Sequence, residues 1–94
     1  MRFTWDENKR QATLQARGLD FAHANRIFER GTFTWEDTRN AYGEQRFITL
    51  GSLDADVIVL VHTESDERIR VISMRKADKD EQDLYFENVG LQGS

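Results

Sequence analysis

The chain has 94 residues, 38% of them hydrophobic and 32% charged, with a formal net charge of −4, which describes one soluble domain with a modest core. It contains no cysteine, so a disulfide framework or thiolate metal site is excluded. No apolar run approaches the ~20 residues of a membrane span, and the start, Met1-Arg2-Phe3-Thr4-Trp5-Asp6, has no signal-peptide character, so a cytoplasmic location is expected. Residues 77–94 hold Lys79 against Asp78, Asp80, Glu81, Asp83 and Glu87, which accounts for the whole net charge; residues 1–76 balance 12 Lys/Arg with 12 Asp/Glu. The acidity is thus local, and a cationic site on the neutral body is allowed.

In chain order, Arg2 to Trp5 reads as a short strand with Phe3 and Trp5 on one face. Asp6 is a helix N-cap candidate, Asn8 to Ala16 is helix-compatible, and Gly18 is a C-cap. This helix has few apolar positions, so it packs lightly or through the stems of Lys9 and Arg17. Asp20 caps a second helix with Phe21, Ala24, Ile27 and Phe28 as its apolar stripe, ended by Gly31. Thr32 to Asp37 alternates Phe33 and Trp35 as a strand, and a polar connection, Thr38 to Glu44, leads to a third strand, Gln45 to Leu50. Gly51 to Asp56 is expected to be a loop. Asp56 to Glu64 has a continuously apolar middle, Val57 to Val61, which suits a central strand covered on both faces. Ser65-Asp66-Glu67 is a hairpin turn, and Glu67 to Arg75 is a strand that carries Arg68, Arg70 and Arg75. Asp78 and Glu81 form a capping box for a last helix, about Lys79 to Asn88, anchored by Leu84, Tyr85 and Val89.

The predicted order is β-α-α-β-β-β-β-α. It implies an α+β fold, an antiparallel β-sheet with helices packed on one face, occupying residues 1–89 as a single domain with 90–94 as a flexible tail. Guanidinium groups held on a strand have a fixed geometry for phosphate, so the Arg68–Arg75 stretch is the first place to expect function.

Several groups of residues line up with one family. They are Phe3, Trp5-Asp6, Asn8-Lys9, Gly18, Phe21, Ala24 and Phe28; Asp37, Arg39, Tyr42-Gly43-Glu44 and Arg46; and Ile69-Arg70-Val71-Ile72-Ser73-Met74-Arg75 with Ala77, Glu81 and Tyr85. This ordered set resembles BrnT, the toxin of a type II toxin–antitoxin pair with a RelE-like ribonuclease fold. One departure is local: the family's Lys-His-Gly at the end of the first helix is here Ala16-Arg17-Gly18. The resemblance implies a toxin that cleaves RNA and stops translation. It also implies a small BrnA-like DNA-binding antitoxin as partner, with promoter DNA contacted only through that antitoxin.

Metal-free RNA cleavage needs cations for the scissile phosphate, a base for the 2′-hydroxyl, an acid for the leaving oxygen and an aromatic surface for a base. Arg70, Arg46, Arg75, Glu44, Glu81 and Tyr85 are the catalytic candidates. Lys9, Arg39, Arg68, Trp5 and Tyr42 are the RNA-binding ones, and Trp35 is a further aromatic that could stack. Each has a duller reading. Arg70 or Arg75 equally suits a structural partner of Asp37 or Glu81. Glu81 suits a cap, Tyr85 a packing residue, Trp5 a core residue, and His62, which could also move protons, a satisfied half-buried histidine. Strand parity puts Arg70 and Arg75 on opposite faces unless a bulge intervenes. His23 and His62 are far apart and form no ligand pattern with carboxylates, so no metal and no cofactor is implied. The alternative function is a catalytically silent interaction module that serves as antitoxin partner and co-repressor.

Overall fold

The computed structural model describes residues 1–39 and 43–90. Five strands form one sheet: β1 (Arg2–Trp5), β2 (Phe33–Glu36), β3 (Phe47–Leu53), β4 (Asp56–Ser65) and β5 (Arg68–Lys76), in the spatial order β1-β5-β4-β3-β2. The helices are α1 (Glu7–Arg17), α2 (Ala24–Phe28) and α3 (Lys79–Val89), with a single 3-10 turn, Phe21–His23, leading into α2. The fold is α+β, but two expectations need correction. The sheet is mixed: β2 to β5 form an antiparallel meander, whereas β1 lies parallel to β5, with Arg2 opposite Arg68 and Trp5 opposite Val71. The helices also occupy both faces rather than one.

The second correction arises from β4. Strand side chains alternate, so Ile58 and Leu60 point to one face and Val57, Val59 and Val61 to the other. The first set joins Leu19, Phe21, Ala24, Ile27, Val71 and Met74 under α2, with Phe3, Trp5 and Phe28 around it. The second joins Ile48, Leu50 and Tyr85, with Leu84 and Val89 of α3. A continuously apolar strand has to be covered on both sides, and α3 supplies the second cover.

The local capping signals act as expected. Asp6 accepts hydrogen bonds from the Asn8 and Lys9 amides, and Gly18 closes α1 in the left-handed conformation, φ 70°. Asp20 caps the 3-10 turn through the Ala22 amide. Asp78 and Glu81 make both halves of a capping box. Helix α1 buries none of its residues. It is fastened instead by guanidinium groups: Arg10 to both oxygens of Asp20 and to Glu7, and Arg17 to the Met74 carbonyl at 2.8 Å. Strand β1 ends opposite Val71, so Met74 has no strand partner on that side, and Arg17 takes its carbonyl.

The stretch expected to be a loop, Gly51 to Asp56, is mostly strand. Strand β3 runs through Gly51 to Leu53 and turns at Asp54-Ala55 into β4. Gly51 is there because α2 packs against it: a Cβ at that position would collide with Ile27 Cγ2 and stand 3.2 Å from Thr32 Cγ2. A glycine that permits close approach inside a strand looks in sequence like one that permits a turn. Gly51→Ala is therefore expected to destabilise the protein by about 1–3 kcal/mol, the usual range for overpacking a filled core, read as a lower urea midpoint at unchanged slope.

Candidate active site

The open part of the α3-bearing face lies between that helix and β1. Its character is set by an irregularity in one strand pair. Arg70 sits opposite Thr63 and Arg75 opposite Val59, so β5 takes five steps where β4 takes four. The extra residue is Ile72, which has no register partner, and the shift falls between Val61 and His62. A bulge of this kind flips the parity of the residues beyond it. Arg68, Arg70, Ser73 and Arg75 consequently share one face, with Val71 and Met74 in the core on the other.

Two further segments bring charge to this face. Arg46 directly precedes β3, and its carbonyl accepts from the Asp37 amide. Glu44 lies between two cations: Arg46 Nε at 3.4 Å and Arg70 Nη1 at 3.5 Å. Both contacts are long for charge-assisted pairs, and the Arg70 side chain remains 48% exposed. The other two pairs are tight. Arg75 donates to both oxygens of Glu81 at 2.7 and 2.8 Å, and Arg39 does the same to buried Asp37 at 2.8 and 2.9 Å. The Arg75 guanidinium holds the Glu81 carboxyl below its ordinary range, with the Asp78 amide helping. Glu81 in turn raises Arg75, while Arg39 is near enough to oppose it.

The sheet thus collects Arg70, Arg46, Glu44, Arg75, Glu81, Arg39 and Arg68 on or beside one face. Trp35, opposite Ile48, shares that face. Other candidates lie elsewhere. Tyr85 is buried in the core beneath α3. Trp5 is opposite Val71 on the other face, its indole donating to Glu7, and Lys9 is exposed on α1. Tyr42 lies outside the described residues. The apolar cleft lined by Met1, Phe3, Asn25, Phe28, Glu29 and Ile69 is on the α2 face and contains none of the candidates. Sequence reasoning passed over Arg2, which the β1–β5 pairing sets opposite Arg68; no local signal marks it, because that pairing joins segments distant in the chain. Among the described residues, no group of three or more His, Asp or Glu side chains is placed to hold a metal ion.

His62 lies fully buried on the α2 face, directly at the bulge. Its Nε2 is 2.7 Å from Thr49 Oγ1, which is 2.7 Å from Thr34 Oγ1. The ring stacks on Phe47 and meets Phe28 edge-on. Nδ1 finds no hydrogen-bond partner among the described residues, Glu64 Oε1 being 3.6 Å away. Burial pushes this imidazole down to about 4, so it is neutral at physiological pH and lies across the sheet from the arginines.

Residues 5–81 match the family described as ribonuclease toxin, BrnT, of type II toxin–antitoxin systems. The chain belongs to this BrnT family. The match takes in both the bulged strand and the start of α3, hence every arginine of the site except Arg2 at the sheet edge. Comparison with curated proteins returned no match. BrnT proteins are ribonuclease toxins, and toxins of this type pair with an antitoxin protein.

His62 yields a signed expectation. Its folded pKa lies below the unfolded 6.5, so between pH 6.5 and about 4 the unfolded chain binds the extra proton. Its contribution is complete above 6.5 and is lost as the pH falls toward about 4, with a slope of at most about 1.4 kcal/mol per pH unit. Urea unfolding at pH 7, 6 and 5 should show this decline, and His62→Gln, which keeps a partner for Thr49, should flatten it. Glu81 acts lower: its stabilisation is present above the unfolded carboxylate value and is lost as the pH falls through the depressed one.

Proposed function

We propose that the protein is a RelE-like endoribonuclease that cleaves RNA without a metal ion and so stops translation. The observation that carries this reading is Glu44 shared by Arg46 and Arg70 at long range on an open sheet face. RNA brings its own nucleophile. Cleavage moves the 2′-hydroxyl proton to a base, forms a bond from O2′ to phosphorus and breaks the bond to O5′, leaving a 2′,3′-cyclic phosphate and a 5′-hydroxyl. Arg46 and Arg70 bind the non-bridging oxygens and neutralise the charge that grows on them. In this reading the guanidinium groups supply the charge that a metal ion would otherwise bring. A phosphate arriving between them displaces Glu44 from its loose ion pairs, leaving a carboxylate beside the 2′-hydroxyl as general base. Arg75 and Arg39, each clamped by its own carboxylate, strengthen the positive field from fixed positions. Glu81 is held ionised by Arg75 and Tyr85 is in the core, so water on the open face protonates O5′.

The partner in this proposal is a BrnA-like antitoxin, acting in the cytoplasm and meeting promoter DNA on behalf of the pair. An acidic segment or glutamate-bearing helix of it covers Arg68 to Arg75, an association that weakens with salt. The second reading, a silent interaction module, draws on the same structure: Arg75 and Arg39 are already engaged bidentately by Glu81 and Asp37.

Cleavage of RNA by the purified protein in excess chelator separates the two. Arg70→Ala is expected to lower that rate about 10²–10³-fold, the usual effect of losing one charge-stabilising donor, and to relieve growth arrest on expression. Cleavage that requires an added divalent ion removes the metal-free step. An Arg70→Ala protein as active as the wild type removes Arg70 from the mechanism.

A further inference from the structure

The parallel pairing of β1 with β5 creates an arrangement that strand order alone would not suggest. Arg2 lies opposite Arg68, and the Arg2 amide donates to the Glu67 carbonyl at 2.7 Å, which fixes its place in the register. Phe3 and Ile69, the next pair, line the same apolar cleft on the α2 face. By alternation Arg2 and Arg68 therefore share the opposite face, that of Arg70 and Arg75. Both are exposed. Neither forms an ion pair with a carboxylate among the described residues, whereas Arg70, Arg75, Arg39 and Arg46 each do. Neighbouring strands lie about 4.8 Å apart, and like charges directly opposite each other oppose pairing. Two exposed arginines opposite each other on neighbouring strands, neither in an ion pair with a described carboxylate, make a receptor for an anion.

The position of this pair defines which anion. Arg68 is two residues from Arg70 on the same face, about 6.6 Å along the strand. That is the scale of separation between successive phosphates of an extended nucleic-acid strand. We propose that Arg2 and Arg68 jointly bind the phosphate next to the scissile one, making a subsite that extends RNA recognition by one nucleotide toward the β1 edge. The inference rests on the proposed assignment of Arg70 to the scissile phosphate. Thr4, opposite Arg70 and on the same face, adds a hydroxyl beside the scissile position.

The probes are short RNAs of one base composition: a dinucleotide with only the scissile phosphate, and trinucleotides extended on the 5′ or on the 3′ side. For the wild-type protein one of the two extensions lowers KM about tenfold, the value of one good charge-assisted contact, and the other leaves it unchanged. Arg2→Gln and Arg68→Gln each abolish that gain with kcat within about twofold, because contacts equal in ground and transition states act on KM alone. The double variant loses no more than either single one, since both side chains hold a single phosphate. Binding of a 2′-O-methylated RNA then shows a salt slope shallower by about 0.7, the value for one phosphate of a single strand. Thermal midpoints no lower than wild type show that the sheet edge is intact.

An Arg2→Gln protein that retains the trinucleotide advantage overturns the subsite while leaving the nuclease in place. So does a double variant whose loss is the sum of the singles, which would mean separate contacts. Variants that only self-associate, with KM unchanged, assign the arginines to blocking edge pairing and equally overturn it. A wild-type protein that cleaves none of these RNAs, with or without ribosomes, overturns the nuclease reading and the subsite together.

Discussion

One unpaired residue in β5 decides the chemistry of this sheet. Had the β4–β5 register run unbroken, Arg70 and Arg75 would face opposite ways, and either a guanidinium would enter the core or Met74 would leave it. The bulge at Ile72 lets the strand satisfy both demands: apolar side chains inward before and after it, cations outward before and after it. The same position is pinned from below by His62, whose imidazole reaches Thr49 on β3, which in turn touches Thr34 on β2. A polar chain thus runs across three strands beneath the bulge, from buried His62 and Thr49 to exposed Thr34.

The cations on that face fall into two kinds. Arg39 and Arg75 are held by short bidentate contacts to acids that are themselves anchored, Asp37 by burial and Glu81 by the capping box of α3. Arg70 and Arg46 share Glu44 at longer range, and in the proposed mechanism this is the acid that a phosphate replaces. In that mechanism the bidentately held guanidinium groups add their charge to the pair that meets the transient anion.

Much of this was legible in the chain itself. The caps at Asp6, Gly18, Asp20 and Asp78 read directly because capping chemistry is local. The apolar run of β4 indicated cover on both faces, although the helix that provides the second cover, α3, has a weak stripe that does not announce which face it takes. The parallel placement of β1 is a long-range choice; nothing near Arg2–Trp5 encodes it, so the expectation of an antiparallel sheet fails at that strand. Gly51 misled for a related reason: its partner is Ile27, distant in sequence. At the site, the residue types were visible and the grouping was not. Whether Arg70 and Arg75 would meet depended on a single bulge, and Arg2 gained meaning only from a register that pairs the two ends of the domain.

The order in which the chain leaves the ribosome gives that register another consequence. Strand β1 emerges first, yet its one neighbour in the sheet is the last strand to be made. Contacts so remote in sequence close late, so the meander β2 to β5 has to assemble before the N-terminal strand can dock. A nascent or truncated chain that stops short of β5 therefore lacks the arginine edge, because β1 has no sheet neighbour until that last strand is made.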